Sequence, residues 1–267
     1  MKFLSTLIIA FFFVITLQNC SSETTNTAEM QKPKAASEVQ QIAAKLETVI
    51  PAKKAKKVKD DDDDDHDDKS LPLTASNTIG TTDAVATNYK NLHAAFIGET
   101  TASAKYAAFS KKAEEEGYHE IAMLFKAASS SENFHANNHK AVLEEAGEVV
   151  ATFKPKFTVK TTAENLSSAI EGETYEVTTM YPNFLKNAQE AGNQFALMSL
   201  NYAYKTEKKH KKLYESALEA LNSNTVKNLS SVYYVCPTCG NTYEGKIPKK
   251  CGISMTGSEK FIKISLV

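Results

Sequence analysis

Ser131-Glu132-Asn133-Phe134-His135 and Thr206-Glu207-Lys208-Lys209-His210 are two copies of one pattern. Each sets a glutamate three residues before a histidine, so on a helix both side chains leave the same face. Glu132 and Glu207 are 75 residues apart, as are His135 and His210, and Gly117 and Gly192. Upstream, the pairs Gly98-Glu99 and Gly172-Glu173 place their glutamates 74 apart. A duplicated helical hairpin with one inserted residue explains the whole set.

Periodicity predicts four helices. Leu92, Phe96, Glu99, Ser103 and Tyr106 share a face of the first, and Ile121, Phe125, Ala128, Glu132 and His135 a face of the second. Leu166, Ile170, Glu173, Val177 and Met180 mark the third; Leu200, Tyr204, Glu207 and His210 mark the fourth. Gly117 and Gly192 punctuate the turns. The 30 residues between His135 and Leu166 suit a long crossover between hairpins of a four-helix bundle.

Glu99, Glu132, Glu173 and Glu207 interrupt the apolar stripes. A buried, unpaired carboxylate costs several kcal/mol or stays protonated, so four of them with two histidines call for a shared cation. A glutamate from each of two helices plus Glu-x-x-His from each of the other two is a di-iron or di-manganese ligand set. Carboxylate with imidazole suits iron or manganese. Glu176 follows Glu173 by three residues where the first half has Ala102. A fifth carboxylate gives a charge of -5, near balance with two ferrous or two ferric ions.

The flanks carry other signals. Lys2 precedes an apolar run, Phe3–Leu17, shorter than the ~20 residues of a spanning helix. It ends in Leu17-Gln18-Asn19-Cys20, which resembles a bacterial lipoprotein box with Cys20 as the lipidated residue. Residues 21–80 are too poor in large apolar side chains to fold and read as a charged tether. The acidic block Asp60–Asp68 reads as a solvated spacer rather than a cation site. The net charge is -1 and arginine is absent, which gives no footprint for nucleic acid.

Cys236-Pro237-Thr238-Cys239-Gly240 opens a small separate unit, and Cys251-Gly252-Ile253-Ser254 supplies a second knuckle. It resembles a rubredoxin domain with Ser254 in place of the fourth cysteine. Three readings stand side by side: an altered single-iron site, zinc, or a metal-free remnant with a Cys236–Cys239 disulfide.

Over about residues 85–267 the chain resembles the rubrerythrin family. The motifs are Asn91-Leu92, Gly98-Glu99, Glu114-Glu115-Glu116-Gly117, Glu132-x-x-His135, Asn165-Leu166, Gly172-Glu173-x-x-Glu176, Met180-Tyr181-Pro182 and Glu207-x-x-His210. The resemblance implies a mainly α, ferritin-like bundle over 81–225 and a rubredoxin-like domain over 230–267. It implies two irons held by Glu99, Glu132, His135, Glu173, Glu176, Glu207 and His210, with Glu176 the ligand that gives way on reduction. Tyr106 and Tyr181 match tyrosines that hydrogen-bond ligand carboxylates. The implied activity is a peroxidase that reduces hydrogen peroxide to water in oxidative-stress defence. Its electrons come from an unknown donor through an iron at Cys236, Cys239 and Cys251. A homodimer is implied as well. The alternative is an iron-binding, ferroxidase-like envelope lipoprotein without sustained turnover. With the lipid anchor, either protein is exported and membrane-attached.

Overall fold

The computed structural model describes residues 80–266. The expectations for the export segment, Cys20, the tether and the acidic block fall outside the described residues, apart from the tether's last residue, Gly80.

The first hairpin is α1 (Thr82–Glu115) and α2 (His119–Glu145). An irregular crossover of residues 146–161 follows. The second hairpin is α3 (Thr162–Tyr175), a π-helical turn (Glu176–Met180), α4 (Tyr181–Glu190) and α5 (Gln194–Asn222). Three starts are capped by side chains that accept orphan N–H groups. Thr81 accepts from Ala84, Asn193 accepts from Ala196, and Thr161 forms a capping box with Glu164. Gly117 (φ +81°) and Gly192 (φ +68°) end the first rod of each hairpin in the left-handed conformation that spares a Cβ clash. The N–H groups of Tyr118 and Asn193 then reach back to the carbonyls of Ala113 and Ala188.

The bundle core is split in two. One cluster holds Tyr106, Phe109, Phe125, Leu166 and Tyr214. The other holds Leu92, Leu143, Met180, Tyr181 and Leu200. On α1, α2, α3 and α5 the buried glutamates Glu99, Glu132, Glu173 and Glu207 fall between these clusters, so a polar layer is flanked by apolar packing at both ends. Close packing of the aromatic rings, with centroids 5.3 Å apart for Phe125 and Tyr214, keeps water from one side.

The chain ends in an antiparallel sheet of β1 (Val232–Val235), β2 (Thr242–Glu244) and β3 (Ile262–Ser265), in the order β2-β1-β3. Alternation along β1 buries Tyr233 and Val235, which join the aromatic cluster of the bundle. The small module is thereby packed on α2 of its own chain. The architecture is mainly α, a ferritin-like bundle with a long crossover and a small strand-and-cysteine unit.

Candidate metal centre

Glu99 on α1, Glu132 and His135 on α2, Glu173 on α3, and Glu207 and His210 on α5 are all at most 1% exposed. They form two overlapping groups, Glu99 with Glu132, His135 and Glu207, and Glu132 with Glu173, Glu207 and His210. Glu132 and Glu207 are common to both. His135 Nδ1 lies 2.9 Å from Glu132 Oε2 and 2.8 Å from Glu207 Oε1. His210 Nδ1 lies 3.0 Å from Glu132 Oε1 and 2.7 Å from Glu207 Oε2. Each bridging glutamate thus turns one oxygen to each histidine, as the duplication requires.

The far nitrogens fix the tautomers. His135 Nε2 lies 3.0 Å from the Cys239 carbonyl, an acceptor only, so Nε2 carries the hydrogen. His210 Nε2 is 2.9 Å from Thr242 Oγ1, whose own hydrogen goes to the Gly240 carbonyl. Both Nδ1 atoms therefore offer lone pairs to the carboxylate layer when the rings are neutral.

Lone pairs facing carboxylates need a cation between them. Glu99 Oε2, Glu132 Oε1, Glu173 Oε2, both oxygens of Glu207 and His210 Nδ1 are buried without a hydrogen-bond partner. Burial, and then the charge of Glu207, pushes Glu99 up to about 8. Burial followed by Glu207 and Glu132 raises Glu173 well above its ordinary value. Burial works against Glu132 too, yet in the metal-free chain, with the rings protonated, the charge of His210 and hydrogen bonds from both histidines hold it at about 2. The orphaned atoms and the -4 charge of the buried carboxylates fit two divalent cations, not one.

Two tyrosines steady the layer. Tyr106 donates to Glu173 Oε1 at 2.6 Å, and Tyr181 donates to Glu99 Oε1. Each tyrosine serves the glutamate of the other half. Tyr106 follows Glu99 by seven residues, whereas Tyr181 follows Glu173 by eight. The inserted residue of the duplication therefore lies between Glu173 and Tyr181, where the π turn is found. A π turn absorbs one extra residue without disturbing its flanks.

That turn begins at Glu176. Unlike the four central glutamates, Glu176 is partly exposed and belongs to neither metal-sized group. Lost hydration, and then the charges of Glu99 and Glu173, raises its carboxyl well above the ordinary range. It stands at the edge of the layer, close enough to feel every charge in it.

In the C-terminal module Cys236, Cys239 and Cys251 are free, fully buried and clustered. The disulfide alternative is not the arrangement the structure adopts. Ser254 Oγ lies 3.3 Å from Cys236 Sγ. Thr256 Oγ1 gives its hydrogen to Thr238 Oγ1, so Ser254 donates to Thr256 and turns lone pairs toward the thiols. Hydrogen bonding with Cys239 pulls the Cys236 thiol down to about 4 despite burial. Tyr243 O–H (3.5 Å) and Asn241 N–H (3.6 Å) both point at Cys251 Sγ.

The sequence reading missed several residues. His139, fully buried, bonds Tyr181 and Ser199. Tyr214 packs on Tyr106 with ring centroids 5.4 Å apart. Their 75-residue separation, in register with the ligands, was the available signal. The roles of Ser131, Thr242 and the Cys239 carbonyl had no such signal, because they arise only where the module meets the bundle.

The fold and the site define a dimetal carboxylate protein built on a ferritin-like bundle. A family model described as rubrerythrin matches residues 90–218. Nigerythrin of Nitratidesulfovibrio vulgaris is 36% identical over 186 residues, 67% of this chain and 87% of the relative. Rubrerythrin-2 of Clostridium acetobutylicum is 35% identical over 173 residues, 64% of this chain and 92% of the relative. A structure titled as fully reduced, all-ferrous nigerythrin superposes with a TM-score of 0.61 at 32% identity, covering 73% of this chain and 97% of that one. With relatives covered almost end to end, the chain belongs to the rubrerythrin family, whose members are di-iron proteins of oxidative-stress defence. The buried carboxylate–imidazole layer is where this chain has room for that pair of irons.

Proposed function

We propose that this protein reduces hydrogen peroxide to water, consuming two electrons and two protons per peroxide. The observation that carries the reading is the buried layer of orphaned carboxylate and imidazole atoms, with the partly exposed Glu176 beside it. Bound there, two ferrous ions would supply the electron pair for O–O cleavage.

The chain's own residues do the rest. Glu132, Glu207, His135 and His210 hold the centre, and Glu99 and Glu173 close it. Tyr106 and Tyr181 commit one oxygen of Glu173 and Glu99 to hydrogen bonds and fix the rotamers of both carboxylates. Glu176 keeps a proton on its carboxyl beside the layer and is positioned to release it to a departing oxygen. The two apolar clusters exclude water, so peroxide fragments stay confined. A metal held by Cys236, Cys239 and Cys251 would supply the returning electrons, and the hydrogen bond from His135 to the Cys239 carbonyl is the contact that joins that site to the bundle layer.

Ser254 favours a second reading, iron capture or oxidation without sustained turnover. A serine oxygen is a harder donor than thiolate, and an iron there is more labile. We also propose export and anchoring through Cys20, on the sequence pattern of residues 1–20; metabolic labelling with a fatty acid, lost in Cys20→Ala, tests it.

The deciding experiment counts iron in the purified protein and follows its visible spectrum when peroxide meets the reduced form. Two bundle irons, rapid oxidation and continued consumption with an artificial donor support the peroxidase. One round of oxidation followed by arrest selects the iron-handling reading. Absence of bound iron defeats both.

A further inference from the structure

Lys209 belongs to α5 of the bundle but turns its charge to the C-terminal module. Its Nζ sits 4.1 Å from the centroid of the Tyr243 ring. Lys211 on the same helix is paired with Glu215, whereas no carboxylate pairs with Lys209 among the described residues. Lys209 is also partly buried, so its ammonium is not freely hydrated. Tyr243 lies on β2 and stacks on Phe261 with ring centroids 5.4 Å apart.

That ring leads to a sulfur. The Tyr243 hydroxyl oxygen accepts from the Asn241 amide at 2.7 Å and from the Gly252 N–H at 2.9 Å. Both lone pairs are then occupied, and the single hydrogen of the phenol goes to Cys251 Sγ, 3.5 Å away. Cys251 Sγ is itself 3.4 Å from Cys239 Sγ. The three buried thiols Cys236, Cys239 and Cys251 lie within 4.8 Å of one another and fit a metal. One phenol ring therefore separates a bundle cation from the cysteine cluster. Burial lowers the Lys209 ammonium from its ordinary value, while the charges of Cys251 and Cys239 pull the other way, so cation and sulfurs act on each other.

The duplication supplies a comparison. Offset by 75 residues, Lys209 corresponds to Phe134, which packs against the apolar core of the bundle. An apolar side chain thus satisfies this helix position in one half. In the other half, beside Tyr243 and the thiols, the same position carries a positive charge.

We propose that Lys209 sets the potential of a metal at Cys236, Cys239 and Cys251, making that centre easier to reduce while the module is docked on the bundle. Reduction of an iron there adds one negative charge to a buried cluster of thiolates, and a nearby cation stabilises the added charge. Over the face of the phenol, the same cation also polarises the O–H toward the sulfur. Ser254 works in the opposite direction, because a serine oxygen is a harder donor than thiolate and favours the oxidised metal. Lys209 offsets it. Since α5 supplies the charge, it acts only in the docked arrangement, the one in which His135 meets the Cys239 carbonyl. This role needs a metal at the cysteines and is independent of peroxide chemistry.

Two measurements on the full chain test it. With the module loaded from ferrous solution, spectroelectrochemistry follows the thiolate-to-iron absorption as the electrode supplies or withdraws one electron. Lys209→Met keeps the long stem and removes the charge. At a fixed electrode potential its reduced-to-oxidised ratio should fall about tenfold, equal to about 59 mV for a one-electron couple. Lys209→Arg keeps the charge over the ring and should stay within about twofold of the wild type. An unchanged ratio in Lys209→Met overturns the role, and so does an equal loss in Lys209→Arg, which would make the effect one of packing. A module that takes up no iron overturns it as well. Proton NMR of the zinc-loaded protein checks the geometry without any redox step. The Lys209 ε-methylene should be shifted upfield by the Tyr243 ring and return to its ordinary position in Tyr243→Leu. An unshifted ε-methylene in the wild type removes the contact on which the role depends and overturns it.

Discussion

His135 reaches in two directions from one ring: Nδ1 faces the carboxylate layer, and Nε2 donates to the Cys239 carbonyl 3.0 Å away. One imidazole therefore joins the bundle site to the cysteine knuckle of the same chain. The approach depends on Gly240, whose carbonyl accepts from Ser131 Oγ at 2.6 Å.

Gly240 has φ +73°, and a Cβ there would meet Ser131 Oγ at 2.7 Å and the His135 ring as well. Gly240→Ala should destabilise by roughly 1–2 kcal/mol from the left-handed backbone alone. More tellingly, it should weaken docking, seen as slower re-reduction of the bundle irons through the module with unchanged iron content.

Tyr106→Phe removes the hydrogen bond to Glu173 Oε1 and little else, because the ring still fills the aromatic cluster. Affinity for the second metal should drop about 10- to 100-fold. Competition with a chelator measures it.

Deleting Thr178 removes the extra residue of the π turn. The flanks should keep register, as they do in the first half, so Tyr181 still reaches Glu99 and two metals still bind. Glu176 should lose its place at the edge of the layer. Oxidation by peroxide should slow by about 100-fold with iron content intact; loss of the metals instead would show that the turn is structural.

Metal-free protein should become less stable as pH rises. Glu99 has a folded value of about 8 against an ordinary 4.5, so the folded state retains a proton that the unfolded chain has released. Its contribution is fully present below 4.5 and is lost as pH rises through 8, at roughly 1.4 kcal/mol per pH unit at the steepest. Thermal melts should show the slope, Glu99→Gln should reduce it, and added divalent iron should remove it.

Ser254→Cys restores a fourth thiolate beside Cys236. Iron at the module should be retained through dialysis that strips the wild type, with stronger thiolate-to-iron absorption. Equal retention in both proteins would show that Ser254 Oγ is already an adequate ligand.

Much of this was legible in the chain. The two Glu-x-x-His pairs, the matched Gly-Glu pairs and their near-constant separation specify a duplicated bundle, because helix periodicity converts spacing into facing. The one-residue mismatch between 74 and 75 even marked the stretch that became the π turn, although periodicity has no means of saying how an extra residue is absorbed. Glu99, Glu132, Glu173 and Glu207 stood out because carboxylates in apolar stripes demand a cation.

Tertiary structure alone decided the rest. Which nitrogen of His135 and His210 faces the metals depends on acceptors supplied by Cys239 and Thr242, about 100 and 32 residues away in the chain. Glu176 stands at the edge, outside both metal groups, because the π turn sets its angle. His139 gained a partner on each side only when α4 and α5 closed over it. Repeats and periodicity report what each helix presents; hydrogen-bond direction depends on which atoms from other segments arrive opposite, and only packing determines that.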